Sequence, residues 1–424
     1  MADVSKPAGK TAFVPMRSLD DALAELLAHA VGLLGSESVD TFDADRRVLA
    51  QDVISSIDVP GFDNSAMDGY AVSVSDCVEA GAVLQVSQRI AAGYFGDALK
   101  PGEAARIFTG APVPEGASAV VMQEDCTDLK NGSIQINTVP ERSQWIRRAG
   151  DDIRAGHKVL LKGELLTPAS IGLAASIGLN QLAVSRRPRV ALFSTGDELV
   201  MPGEVAPQDM PRGAIYNSNR FFLRALLLRA GCAVTDWGIV PDNFEATVCA
   251  LQTAALSHDV ILTSGGVSVG EEDHIKPAVQ QLGSLDLWSI SMKPGKPFAY
   301  GQLKKPEGGS VHFIGLPGNP VSSFITFLVL VKPFLAKLQG QINVTGAMHS
   351  VAARADFTVA RADKRREFLR VRRNADGGLD LYPNQSSGVL TSAVWADGLV
   401  DKPAGSTIAQ GDTVRFSPFS DLLA

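Results

Sequence analysis

The stretch that most constrains the fold is a glycine-rich loop that follows the most apolar strand pattern of the chain. Residues 259–263 (DVILT) form a β-branched run typical of a parallel strand that is buried on both faces. Residues 264–270 (SGGVSVG) then bring three glycines in seven residues, so the backbone can come close to a bound molecule. We expect this strand in the middle of a sheet, with a ligand loop at its carboxyl end. A glycine-rich turn without a ligand is the alternative that this loop alone leaves open.

Three further stretches place small or rigid turn residues where a strand ends or a helix begins. Residues 194–198 (STGDE) follow an apolar strand pattern, and residues 315–322 (GLPGNPVS) precede a helical one. Residues 293–297 (KPGKP) set Lys293 and Lys296 on a turn that its prolines stiffen. These lysines could hold an oxyanion or a phosphate, or they could lie on an ordinary surface turn.

The order of the strand and helix patterns predicts the fold of the region that carries these loops. Strand patterns at 189–193, 233–240 and 259–263 alternate with helical patterns near 218–230 and 244–257. Such alternation predicts a doubly wound α/β sheet, and the carboxyl ends of its strands would collect the loops at one edge.

Three more domains are expected around this sheet. Residues 18–58 and 150–186 predict a discontinuous, helix-containing domain, in which the helices after Ser18 and Thr167 pack together. Residues 59–149 alternate in short segments between turn signals, which predicts a mostly-β insert. We expect the α/β domain over residues 187–337 and a small all-β domain over residues 345–424.

Charge and composition exclude several classes of function. The formal net charge of −7 argues against a general nucleic-acid binder, which needs concentrated Lys and Arg. Neither the four cysteines nor the six histidines have the spacing of a zinc site. No signal-peptide pattern is visible, and the longest apolar run, residues 324–331, is too short to span a bilayer. The sequence therefore predicts a cytoplasmic protein without a membrane segment.

Three carboxylates fall at or just beyond the predicted strand ends of the α/β domain: Glu198, Asp242 and Asp273. Hard oxygen ligands in this number suit Mg²⁺, which would also bind phosphate oxygens. Each acid alone could equally be a helix cap or a surface residue.

The densest basic region lies in the expected terminal domain, around residues 361–372. Alternation in residues 367–372 (EFLRVR) predicts a strand with Arg370 and Arg372 on one face and Leu369 and Val371 on the other. A solvated charged face and an anion site are both open on these residues.

Four motifs, in this order, resemble the MoeA and gephyrin E-domain family of molybdenum-insertion enzymes: STGDEL (194–199), SGGVSVGEED (264–273), KPGKP (293–297) and GLPGNPVS (315–322). Residues 60–71 (PGFDNSAMDGYA) match a signature of that family at every position, although the residues alone would favour a linker of Asx turns. The resemblance implies four domains, with a central MogA-like α/β domain and a C-terminal β-barrel-like domain. It also implies a homodimer in which the neighbouring chain completes each cleft.

The resemblance further implies a reaction in which adenylylated molybdopterin and molybdate give molybdenum cofactor and AMP, with Mg²⁺. The residues that it implies as catalytic are Asp63, Thr109, Asp152, Glu198, Asp242 and Asp273. Those that it implies as substrate-binding are Ser65, Ser264, Gly265, Gly266, Ser268, Lys293, Lys296, Pro317, Pro320, Ser322 and Arg370. Residues 386–392 (SSGVLTS) match the family loosely, which leaves molybdate ligands there open.

Two other functions stay open at this point. A molybdopterin adenylyltransferase has the central α/β domain, but it does not need the insert at 59–149. A non-catalytic scaffold would tolerate loss of the acidic and lysine positions, all of which are present. Expected partners are a molybdopterin adenylyltransferase and maturation factors of molybdoenzymes.

Overall fold

The computed structural model describes residues 16–30, 35–241, 243–266, 274–344 and 348–423. The chain divides into two compact units. The large unit contains the described residues of 1–37, 46–50 and 184–424, and the small unit contains residues 38–45 and 51–183. The finer domain boundaries expected from the sequence stay a prediction.

The large unit is built on a six-stranded sheet. Its strands lie in the order Ala233–Val240, Arg189–Thr195, Val260–Ser264, Ser310–Leu316, Pro297–Lys304 and Gly283–Ser289. The first four are parallel and the last two are antiparallel to their neighbours. Val260–Ser264 is third of the six and all five of its residues are buried, so the strand expected in the middle of the sheet is confirmed.

Helices cover both faces of this sheet, as a doubly wound fold requires. Along the strand Arg189–Thr195, Val190 and Leu192 enter one core while Ala191 and Phe193 enter the other, because strand side chains alternate between faces. The first core takes residues of Leu19–His29, Asn219–Arg229 and the long helix Pro320–Leu338. The second core takes residues of Phe244–Ser257 and Ile275–Leu282.

The first described helix, Leu19–His29, corrects one expectation. Ser18 caps it as predicted, since the Ser18 hydroxyl accepts a hydrogen bond from the Asp21 amide at 3.1 Å. Its buried residues recur every three or four positions, and this face packs into the core of the α/β sheet. The predicted packing against the helix after Thr167 is therefore wrong, because the apolar stripe is satisfied in the core of the large unit.

The helix Pro320–Leu338 contains the apolar run 324–331 and is longer than that run. With 19 residues and a mean hydropathy of 1.7, it is the one helix among the described residues that is long and apolar enough to cross a membrane. However, 72% of its apolar window is buried inside the protein. Its residues belong to the main core, which is typical of a core helix.

The C-terminal part of the large unit is a second sheet that closes on itself. In chain order its strands are Val351–Arg354, Arg366–Arg373, Leu379–Leu381, Gly398–Lys402 and Thr413–Pro418. Antiparallel pairs join these strands, and a bridge between Ala355 and Leu379 closes the ring. The expected barrel-like domain is thus present. The short strand Met292–Lys293, from the KPGKP turn, pairs in parallel with Arg366 and Glu367 at the edge of this sheet.

The small unit is mostly β, as the alternating pattern of residues 59–149 predicts. Its main sheet has the order Ala119–Met122, Gly69–Val72, Glu103–Ile107, Ala82–Ile90, Ser133–Ile136 and Cys126–Asp128. Two short ladders pair Asn64–Ser65 with Ile146–Arg147 and Val53–Ile54 with Lys158–Leu160. The helix Pro168–Ser176 begins after Thr167, whose hydroxyl accepts from the Ser170 amide at 3.2 Å, as expected of a cap. Ser36–Asp40 and Gln181–Ser185 are further strands of the chain.

Candidate active site

A cavity of about 760 Å³ opens in the large unit at the edge where the parallel strands end. Residues from three of the four predicted loops form much of its wall, and Pro297 of the KPGKP turn adds to it. The wall includes Thr195, Gly196, Glu198, Ser264, Gly265, Gly266, Pro317, Gly318, Pro320 and Ser322. Open α/β sheets bind ligands at this edge, so the expectation that the loops gather here agrees with the structure.

The glycines of the loop after Val260–Ser264 are required by close packing. Gly265 has a φ of +95°, and a Cβ atom there would lie 2.8 Å from the backbone oxygen of Thr195. Gly266 has a φ of +68°, and its Cβ atom would lie 2.7 Å from a side-chain carbon of Ile275. The loop can lie along the wall only because both residues lack side chains. Ser268 lies outside the described residues.

Asn219 ties two loops of the cavity together and was missed in the sequence. Its amide nitrogen donates to the Ser264 hydroxyl at 2.8 Å and to the Gly318 backbone oxygen at 2.7 Å. Asn219 is the first residue of the helix Asn219–Arg229 and is buried. The only signal in the sequence is an asparagine at the start of an apolar helical pattern.

Two polar atoms in the wall have no partner within the described structure. The side-chain amide nitrogen of Asn217 and the Thr195 hydroxyl are buried and make no hydrogen bond, although the Asn217 side-chain oxygen accepts from the Arg220 amide at 3.2 Å. Buried polar groups are normally hydrogen-bonded. Both atoms belong to residues whose other atoms line the cavity.

Of the three predicted metal ligands, only Glu198 is described, and this exposed residue lines the cavity. Asp242 and Asp273 lie outside the described residues. Within the described ranges, no three His, Cys, Asp or Glu side chains lie close enough together to hold a metal ion. The magnesium site formed by these three carboxylates therefore stays a prediction.

The two lysines of the KPGKP turn have different surroundings. The Lys293 ammonium lies 3.0 Å from Glu367 Oε1 and 3.5 Å from Asp363 Oδ2, whereas Lys296 is exposed. The second oxygen of Glu367 accepts from the buried Lys402 ammonium at 2.7 Å. Burial by itself would raise the pKa of Glu367, but the hydrogen bonds from Lys402 and Lys293 outweigh it and lower that pKa.

The burial of Arg370 decides against the solvated charged face, one of the two alternatives that the sequence left open for this residue. Arg370 is 1% exposed, and its guanidinium donates to the Ser392 hydroxyl and to the backbone oxygens of Phe368 and Ser386. Burial lowers the pKa of Arg370 to about 10. The helix Thr391–Trp395 covers this face of the strand, which the alternation within the strand could not show.

The loosely matching block at 386–392 reaches the cavity. The Ser387 backbone oxygen accepts a hydrogen bond from the Val321 amide, in the first turn of the long helix, at 3.0 Å. Gly388 lines the cavity beside the residues of that turn. The barrel domain thus contributes to the wall through its backbone.

The small unit holds the remaining predicted residues in local networks of their own. Asp63 accepts from the Ala149 amide at 2.9 Å and pairs with Arg148. Burial would raise the pKa of Asp63, but these hydrogen bonds outweigh it and lower that pKa. Thr109 donates from its amide at 2.8 Å and its hydroxyl at 2.7 Å to one oxygen of Asp68. Asp68 and Arg148 are therefore supporting residues that sequence reasoning missed.

Ser65 and Asp152 differ sharply in exposure. Ser65 is fully buried, and its hydroxyl donates to the Met67 backbone oxygen at 2.6 Å. This geometry argues against the predicted direct contact between Ser65 and a substrate, because the hydroxyl is used to hold the turn. Asp152 is exposed, and its amide donates to the Val59 backbone oxygen at 3.0 Å.

Comparisons with known proteins cover nearly the whole chain. Three family models match: the MoeA N-terminal region, domains I and II, at residues 17–178; a probable molybdopterin-binding domain at 191–337; and the MoeA C-terminal region, domain IV, at 352–419. A molybdopterin molybdenumtransferase of Haemophilus influenzae is 38% identical, over 96% of this chain and 100% of that protein. One of Nostoc is 39% identical, over 77% of this chain and 76% of that protein. A crystal structure of the MoeA protein from Pyrococcus horikoshii OT3 has a TM-score of 0.82 at 26% identity, over 95% of this chain and 100% of that one.

Proposed function

The chain belongs to the MoeA family and acts as a molybdopterin molybdenumtransferase, and we propose that its substrates are adenylylated molybdopterin and molybdate, which give molybdenum cofactor and AMP. The observation that carries this substrate assignment is the cavity at the strand ends of the large unit. Its volume of about 760 Å³ suits a ligand of nucleotide size.

The described wall of the cavity favours a neutral, hydrogen-bonding ring system. It contains no Lys or Arg among the described residues, and Glu198 is its one carboxylate there. The amide nitrogen of Asn217 and the hydroxyl of Thr195 have no partner among the described residues, and we propose that they donate to acceptor atoms of an adenine or a pterin. Such donors orient a flat ring without adding charge.

A phosphate beside such a wall needs a nearby cation. We propose that Glu198, Asp242 and Asp273 hold Mg²⁺, since hard oxygen donors in this number suit that ion. When bound, the ion would polarise the phosphoryl bond that is broken when AMP leaves. The described residues contribute the glycine loop, held by a hydrogen bond from the Gly265 amide to the Leu316 backbone oxygen at 3.0 Å.

We place the molybdate subsite beside the KPGKP turn. Lys293 and Lys296 supply positive charge on a turn that two prolines stiffen, and Ser322 lies in the first turn of the helix Pro320–Leu338. Arg370 stabilises the neighbouring block 386–392, which reaches the cavity, because its guanidinium donates a hydrogen bond to the Ser386 backbone oxygen. Local positive charge of this kind can attract an oxyanion to a chain with net charge −7.

The same proposal includes the assembly and the location of the enzyme. We propose a cytoplasmic homodimer in which Asp63, Thr109 and Asp152 of one chain complete the cleft of its partner. A molybdopterin adenylyltransferase would supply the adenylylated substrate, and maturation factors of molybdoenzymes would receive the product.

The test is the release of AMP from adenylylated molybdopterin, measured with and without molybdate and with and without Mg²⁺. We expect release to need both, and Glu198→Gln to lower the response to Mg²⁺. Lys296→Ala should raise the molybdate concentration needed for half-maximal release while the affinity for the pterin stays within about twofold of wild type. If Lys296→Ala instead loses pterin binding and responds to molybdate as wild type does, Lys296 belongs to the phosphate subsite. If AMP release by the wild-type protein is the same with and without molybdate, the proposed reaction is refuted.

A further inference from the structure

A cluster of five charged side chains connects the KPGKP turn with the interior of the barrel domain. The Glu367 cluster, as we call it, consists of Lys293, Asp363, Arg365, Glu367 and Lys402. Glu367 lies at its centre, with one carboxylate oxygen 3.0 Å from the Lys293 ammonium and the other 2.7 Å from the Lys402 ammonium. Asp363 lies 3.5 Å from Lys293 and accepts from the Arg365 amide at 3.0 Å.

Burial makes one end of this cluster rigid and leaves the other open. The side chain of Lys402 is 0% exposed and that of Glu367 is 9% exposed, whereas that of Lys293 is 43% exposed. The backbone fixes the same arrangement, because Lys293 is paired with Glu367 in a parallel ladder and Glu367 with Lys402 in an antiparallel one. The exposed ammonium is therefore held in place from the barrel side.

The charges explain why a buried lysine is present. A carboxylate 3.0 Å from Lys293 would by itself cancel the charge of that lysine and weaken any attraction to an anion. Lys402 supplies a second cation to the same carboxylate from the buried side. In the whole cluster three cations face two carboxylates, so one positive charge remains at the exposed end.

We propose that Glu367 and Lys402 are positioning residues for an oxyanion subsite at Lys293. Glu367 fixes the direction of the Lys293 ammonium, and Lys402 neutralises Glu367 so that Lys293 can still attract the oxyanion. This inference rests on the proposed function, which places the molybdate subsite at the KPGKP turn.

The test compares variants that change the charge of the cluster with one that restores it. Lys402→Met removes the buried cation and leaves the cluster neutral. We expect the molybdate concentration for half-maximal AMP release to rise roughly tenfold, with the affinity for the pterin unchanged. The double variant Glu367→Gln, Lys402→Met has the net charge of wild type, and its glutamine oxygen can still accept from the Lys293 ammonium. Half-saturation should therefore return to within about threefold of the wild-type value. Calorimetric titration of each protein with molybdate alone should rank their molybdate affinities in the same order, with wild type and the double variant above Lys402→Met.

Controls separate this inference from a structural role and from the proposed function. Lys304→Met removes an exposed lysine and should leave the molybdate response unchanged. If Lys402→Met melts early, Lys402→Gln replaces it, because glutamine can still donate a hydrogen bond to Glu367. A double variant as impaired as the single one would show that packing, and not charge, is lost, which refutes the inference. If Lys293→Ala weakens the molybdate response and the neutral Lys402 variant does not, the inference also fails. If Lys293→Ala has no effect, the proposed subsite itself is wrong.

Discussion

Replacement of Gly265 by alanine isolates the close packing on which the cavity wall depends. A side chain at a φ of +95° costs about 1–2 kcal/mol for any L-residue. The new Cβ atom would also lie 2.8 Å from the Thr195 backbone oxygen and 3.1 Å from its hydroxyl. Crowding of this kind costs a further ~1–3 kcal/mol. We therefore expect Gly265→Ala to lower the free energy of unfolding by roughly 2–5 kcal/mol in total.

Gly308→Ala is a matched control, since Gly308 has the same φ of +95° and nothing lies within 4 Å of the position of its Cβ atom. This variant should lose only about 1–2 kcal/mol. Urea unfolding followed by tryptophan fluorescence gives both values, and calorimetric titration with AMP gives the affinity, which should fall by more than tenfold in Gly265→Ala alone. Equal destabilisation and equal affinity in the two variants would refute the argument that the Gly265 loop must lie against Thr195.

Three further outcomes follow from buried polar contacts. Asn219→Asp keeps the shape of the side chain but removes both donated hydrogen bonds, so we expect a loss of about 2–3 kcal/mol and faster amide exchange in the loops around residues 264 and 318, measured by mass spectrometry. Burial lowers the pKa of His312 to about 4, so the folded chain binds a proton at this imidazole less readily than the unfolded chain does. The free energy of unfolding should therefore fall by up to about 3 kcal/mol as the pH drops from 6.5 to 4. In His312→Gln the urea midpoint should depend less on pH over that range. Asp259→Asn breaks the paired hydrogen bonds from Arg186, at 2.7 and 2.8 Å, and should cost about 3–5 kcal/mol by thermal unfolding, whereas an unchanged melting curve would contradict the importance of this pair.

Local patterns in the sequence predicted the parts of the fold that local forces decide. The strand Val260–Ser264 is a continuous β-branched run, and its burial in the middle of the sheet follows from that run. In the helix caps, the hydroxyls of Ser18 and Thr167 accept from backbone amides only three residues further along, so a capping residue can be recognised from the local sequence. The loops of the cavity wall were also found, because glycine and proline restrict the backbone wherever they occur.

The features that were missed depend on partners that are distant in the chain. Asn219 contacts Ser264 and Gly318, which lie 45 and 99 residues further along. The burial of Arg370 depends on Ser392 and the helix that contains it, 22 residues away. The face of the helix Leu19–His29 was recognised as apolar, but periodicity does not say which core receives such a face. Two of the three acids of the expected magnesium site, Asp242 and Asp273, lie outside the described residues.

The short strand Met292–Lys293 belongs to the barrel sheet in the structure, although it lies outside the sequence segment that forms the rest of the barrel domain. The strand precedes the barrel by more than fifty residues, yet it is hydrogen-bonded at the edge of the barrel sheet beside Arg366 and Glu367. A barrel produced as a separate piece from residue 348 onward would have a bare sheet edge at Arg366 and a buried Lys402–Glu367 pair without Lys293. Conversely, a protease cut between residues 340 and 350 should leave two fragments that elute together in size-exclusion chromatography. The barrel and the α/β domain are therefore joined by a sheet edge that the segment from residue 348 onward cannot complete alone.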